Sequence, residues 1–174
     1  MKGDGETMYK KVPLYAMLVA LAMIFSYVEA LLPISFGVPG MKLGLANLIV
    51  VIGLYLLKPG EVLLISVLRI VLVGYLFGNG MSIVYSLAGG LLSFVLMALL
   101  RKIKGFSMIG VSIAGGVSHN VGQLLVAALV LESGAVFYYA PVLLIAGLVT
   151  GTLIGIVAGR IVKAVKKGSR QLFD

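Results

Sequence analysis

The sequence contains no cysteine, which excludes disulfides, thiolate nucleophiles and thiolate metal sites. Its only aspartates, Asp4 and Asp174, stand at the two ends, so the aspartate cluster that would hold magnesium against a diphosphate is missing. No Gly-x-x-x-x-Gly-Lys-Ser/Thr loop is present, and ATP hydrolysis by that route is excluded. One histidine, His119, without cysteine or a nearby aspartate, gives no expectation of a metal site. No nucleophile, base and orienting group form a recognisable set, so the chain reads as a non-enzyme. Charge is also scarce: 11% of residues are charged against 61% hydrophobic, with a mean hydropathy of +1.16. That leaves too little polar surface to cover a globule in water, and the expected class is an all-α integral membrane protein in the lipid bilayer. The net charge of +8 would suggest nucleic acid in a soluble protein. Here the basic residues flank apolar runs and read as orientation signals, so nucleic acid is rejected as a partner.

What is present is a series of apolar runs of about 16 to 25 residues, enough to cross about 30 Å of hydrocarbon. They fall at about 13–31, 42–57, 62–77, 81–100, 107–131 and 141–162, predicting a bundle of six transmembrane helices. Turn chemistry separates them: Leu32-Pro33 to Pro39-Gly40, Lys58-Pro59-Gly60-Glu61, Gly78-Asn79-Gly80, Lys104-Gly105 and Glu132 to Pro141. Spans two and three are short, so one of them is expected to be tilted, broken or shielded by its neighbours. The chain divides into an N-terminal segment 1–11, a transmembrane domain 12–163 and a basic tail 164–174.

Lys2, Lys10, Lys11, Lys58, Arg101, Lys102, Lys104 and the run Arg160 to Arg170 lie at alternate connections, while the other three connections hold only Lys42. This asymmetry predicts both termini on the cytoplasmic side of the cell membrane. Val28-Glu29-Ala30 has the small-x-small form of a signal-peptide cleavage site, but the run before it is long and the motif holds an acid. The first span therefore reads as a retained helix.

Small residues predict how the helices touch. Gly147, Gly151, Gly155 and Gly159 recur at every fourth position of span six, Ser82, Ser86, Gly89, Gly90 and Ser93 form a stripe on span four, and Ala16 and Ala20 form an Ala-xxx-Ala pair on span one. Each pattern lets another helix approach closely, inside the bundle or on a partner.

Candidate binding groups are the polar residues that a bilayer tolerates least. Span five places Ser112, Gly115, Gly116, His119 and Gln123 on one face, with Asn120 beside it. A solute-binding cavity is the functional reading and an interhelical hydrogen-bond clamp the plainer one. Arg69 in the middle of span three must find an anion, either Glu29 near the outer end of span one or an anionic group of a solute that replaces it. Lys42, with Gly44 and Asn47 on the same face of span two, could line the rim of an outward pocket together with Asn79, Tyr85, Tyr138 and Tyr139. The competing roles are a snorkelling lysine and interfacial tyrosines.

Three segments, Met41 to Leu48, Tyr85 to Ser93 and Ser118 to Leu124, resemble the Gx transporter family, also labelled heptaprenyl diphosphate synthase component I. The resemblance extends from about residue 10 to residue 165. That family is similar to the six-helix substrate-binding S components of energy-coupling factor vitamin transporters. The likeness implies an outward vitamin pocket and a docking face for an energy-coupling module, a pattern that Ala16 and Ala20 match. Relatives are associated with flavin supply to extracytoplasmic flavinylation machinery, which implies a flavin (FMN, riboflavin or FAD) as transported ligand. Tyrosines would then face the isoalloxazine, amides its polar edge, and Lys42 or Arg69 a phosphate. The second label implies instead a noncatalytic membrane scaffold or component of a polyprenyl diphosphate synthase. The missing aspartates exclude the catalytic role.

Overall fold

The computed structural model describes residues 3–31 and 44–171. Six α-helices follow one another: α1 (Gly3–Leu31), α2 (Asn47–Leu56), α3 (Pro59–Phe77), α4 (Gly80–Leu100), α5 (Met108–Val130) and α6 (Ala140–Gln171). A short 3₁₀ turn, Gly134–Tyr139, leads into α6. Five of the helices carry apolar stretches of 19 residues or more, and α2 alone, with ten, does not. At 1.5 Å per residue α2 covers about 15 Å, half the hydrocarbon thickness. Of the two short spans, the second is the shielded one. The expected six crossings become five membrane-length helices and one half-length helix.

Helix starts follow local chemistry. Pro59 opens α3 and the Glu61 carboxylate accepts the Lys58 N–H at 3.1 Å. Asn79 accepts from the Ser82 N–H at 2.8 Å at the start of α4, and Ser107 accepts from the Gly110 N–H at 3.1 Å at the start of α5. No side chain of its own caps α2.

The helices form an arc. In the order α1, α3, α4, α5, α6 each packs on the next, and α2 touches all five. Residues Asn47 to Leu54 of α2 are buried without interruption, as a helix apolar on every side requires. Its Leu48, Val51 and Leu54 join Met97 of α4, Val111 of α5 and Ile154, Ala158 and Val162 of α6 in the largest core cluster. Ile49 packs with Leu18 and Ala22 of α1 and Ile65 of α3. A third cluster, at the far end of the bundle, gathers Tyr85, Leu124, Ala127, Val136 and Leu143.

Among the described residues the backbones of α1 and α6 make no close approach. The seam between these two helices is an apolar groove of about 440 Å³ floored by Leu48, Ile52 and Leu56 of α2. At the far end of α1, the rings of Tyr27 and Phe77 meet at 4.9 Å and tie it to α3.

Glycine decides the closest approaches. A Cβ on Gly147 would lie 2.9 Å from the Gly116 carbonyl oxygen, one on Gly151 2.7 Å from Ile113 Cα, and one on Gly155 2.7 Å from Ile109 Cα. The glycine row of α6 thus packs backbone to backbone on α5, inside the bundle. Gly159 differs, with only Met108 Sδ at 3.8 Å. On the other side of α5, Gly122 meets the Ala88 carbonyl and Gly89 meets that of His119.

The polarity of the molecule is inverted relative to a water-soluble one. Leu64, Leu129, Ile145 and Leu153 face outward, while Ser26, Asn120 and Gln123 are at most 1% exposed. Such an exterior suits hydrocarbon, and the chain is a multi-pass membrane protein. One end of the bundle is basic: Arg101 lies 5.6 Å over the ring of Tyr55, three residues before Lys58, so the two cations share that end.

Candidate functional site

The half-length of α2 creates the site. A helix that starts inside a bundle leaves its first N–H groups without intrahelical acceptors, and in hydrocarbon each unpaired amide costs several kcal/mol. Two tight turns satisfy part of this need: Asn47 N–H donates to the Gly44 carbonyl at 2.8 Å and Leu48 N–H to that of Leu45 at 3.1 Å. The missing cap comes from another helix. Glu29 of α1 accepts the Gly44 N–H on one carboxylate oxygen and the Leu45 N–H, at 3.2 Å, on the other. Gly44 makes the entry possible with a φ of +83°, a conformation that costs a residue with a Cβ about 1–2 kcal/mol.

Glu29 is also the charge that acts on Arg69. The guanidinium, 5% exposed, donates through Nη1 to the Ser26 hydroxyl at 3.1 Å. Ser26 lies one turn before Glu29, on the same face of α1. Both readings of Arg69 thus share one place: protein acid and guanidinium are neighbours, and the acid is at the same time committed to the head of α2.

From Gly44 the polar chain passes to α5. A Cβ on Gly44 would lie 3.1 Å from both Asn47 Nδ2 and His119 Cδ2, so these two side chains converge there. One turn on, the Gln123 amide meets His119 Nε2 at 2.9 Å. Asn120 turns aside, donating through Nδ2 to the Leu143 carbonyl of α6 at 2.7 Å. Among the described residues, Asn47 Nδ2, Arg69 Nε and Asn120 Oδ1 are buried without a hydrogen-bond partner. Unmatched donors and acceptors are costly when buried, which makes this group the candidate site.

The structure therefore brings together Glu29, Asn47, Arg69, His119 and Gln123, with Asn120 at the edge. Tyr85 sits in the adjoining apolar cluster, one turn from Gly89, which packs on His119. Three expected rim residues are elsewhere. Asn79 is an exposed helix cap, Tyr138 is 87% exposed, and Tyr139 lies beside it in the 3₁₀ turn. Lys42 lies outside the described residues. Ala16 and Ala20 are exposed on α1. Ser26 was not expected. Its spacing of three from Glu29 was the available signal, but a serine in a helix ordinarily bonds its own backbone.

Asn120 acts as an interhelical tie, and its expected worth follows. Asn120→Ala is expected to lower the stability of the purified protein by about 0.6 kcal/mol, the average for a hydrogen bond between membrane helices, and by no more than about 1.7 kcal/mol. Denaturation in detergent checks this, and a loss within error of zero would show that the Leu143 contact carries no weight.

No curated protein and no solved structure matches the chain. A family model described as heptaprenyl diphosphate synthase component I matches residues 18–161, a stretch that contains α2 to α5 whole and every described residue of the polar chain. The chain belongs to that family.

Proposed function

We propose that this protein is a membrane carrier for a small molecule, or the substrate-binding subunit of one, and that the solute is a flavin. The observation that carries the reading is the convergence of Glu29, Asn47, Arg69 and His119 on the head of a half-length helix. Broken helices in membrane bundles place backbone groups at depth, where a solute can use them. A static bundle needs no such arrangement, since an apolar α2 start would be cheaper. Asn47 and Arg69 would serve an anionic group, His119 and Gln123 the uncharged polar edge, and Tyr85 on α4 is the aromatic side chain nearest in sequence to that wall. The basic end of the bundle is assigned to the cytoplasm, with both termini there. Ala16 and Ala20 stand exposed on α1, on a face away from the α1–α6 seam, where an energy-coupling module could meet α1.

The family description favours a second reading, a noncatalytic membrane component of a polyprenyl diphosphate synthase. Absorption spectroscopy separates the two. Protein purified from riboflavin-supplemented cells is expected to be yellow, or to bind added FMN or riboflavin with quenching of flavin fluorescence. A colourless protein that binds neither flavin, yet co-purifies with prenyl synthase activity, would establish the second reading instead.

A further inference from the structure

Two buried donors near the head of α2 are left unmatched by its resident acid. The Gly44 and Leu45 N–H groups each take one oxygen of Glu29. Asn47 Nδ2 points to the same turn, in a residue 4% exposed, and Arg69 Nε belongs to a guanidinium held one turn away along α1; among the described residues neither atom has an acceptor. The positive end of the α2 dipole adds to the attraction for negative charge. The planar carboxylate, turned toward the two backbone amides, leaves these two donors unmatched, whereas the three outer oxygens of a phosphate spread acceptors in three directions at the same place.

We infer that the turn Gly44–Asn47 together with Arg69 is an oxyanion site, that Glu29 occupies it as an internal substitute, and that a phosphate group of the solute binds by displacing Glu29. The inference builds on the carrier reading and adds the chemical class of the group recognised. It also gives the acid a purpose: two anions cannot share one set of donors, so entry of the solute frees the tie between α1 and the head of α2. Among the described residues, the titratable groups that face Glu29 are Arg69 of α3 and, across Gly44, His119 of α5, and the Arg69 guanidinium remains to balance the incoming anion.

The full chain in phospholipid-free detergent tests this, with inorganic phosphate as probe and thermal unfolding as readout. Phosphate is expected to raise the unfolding temperature of the wild type. Glu29→Gln, which keeps an oxygen for one N–H and removes the competing charge, is expected to bind phosphate about tenfold more tightly, and Arg69→Gln to lose the effect. In the wild type, added phosphate should also shift a carboxylate infrared band that is absent from Glu29→Gln, a readout independent of whether the variants fold well. Protection by phosphatidylglycerol but not by inorganic phosphate would support the exchange and assign the phosphate to a lipid headgroup. No protection by either, with no carboxylate shift, would overturn it. FMN and riboflavin then separate the two conclusions. Equal binding of both by wild type and Glu29→Gln leaves the flavin assignment standing and refutes the exchange. A phosphate response without any flavin binding does the opposite.

Discussion

Gly151→Leu prevents the bundle from assembling or lowers its stability by more than about 3 kcal/mol. The Cβ alone would stand 2.7 Å from Ile113 Cα and 2.8 Å from the Ser112 carbonyl oxygen. Both are backbone atoms of α5, which no rotamer change can move aside. The only response is to separate α5 from α6, and that opens the tie from Asn120 to Leu143 as well. Gly159→Leu, in the same row, is expected to be nearly neutral, because its nearest neighbour is the end of a methionine at 3.8 Å. Expression level and unfolding in detergent report the difference. Equal tolerance at 151 and 159 would mean that α5 and α6 are not in backbone contact.

The second large effect is at Gly44. Gly44→Val places a β-branched residue at a φ of +83° and drives its Cβ to 3.1 Å from Asn47 Nδ2 and His119 Cδ2. The strain costs about 1–2 kcal/mol or more, and the collision pushes apart the two side chains that meet there. Loss of the proposed flavin binding is therefore expected together with reduced stability. Gly105→Ala is the control: its φ of +116° also strains a residue with a Cβ, but nothing lies within 4 Å and it sits in the connection from α4 to α5. It should cost stability and leave binding intact. If Gly44→Val binds flavin as the wild type does, the head of α2 is not part of the site.

The fold was largely legible because its signals are local. Apolar runs gave the helices, and the four-residue glycine period gave the face of α6 that meets α5. His119 and Gln123 could be placed together because both stand on one helix, where spacing fixes direction. Distance between helices has no such signature. Asn79, Tyr138 and Tyr139 had the right residue types and the right end of the chain, yet one caps a helix and two belong to an exposed turn. The bond from Arg69 to Ser26 was invisible for the same reason, since 43 residues separate them. The length of α2 was hidden by composition: Leu43 to Ala46 read as a continuation of the apolar run, and only the left-handed Gly44 shows that the chain is still turning at 44.

The shortness of α2 has a consequence for biogenesis. Each of the other five helices is long enough to leave the insertion machinery into lipid as an independent unit, but about 15 Å of apolar helix with an uncapped start is not. It can settle only when walls exist to receive it, and those walls include α6, which is synthesised after the other five and supplies Ile154, Ala158 and Val162 to its core. The partners of Glu29 at the head of α2 are therefore fixed in place only after α6 has entered, so a nascent chain arrested before α6 should carry every residue of the polar chain and still lack the site.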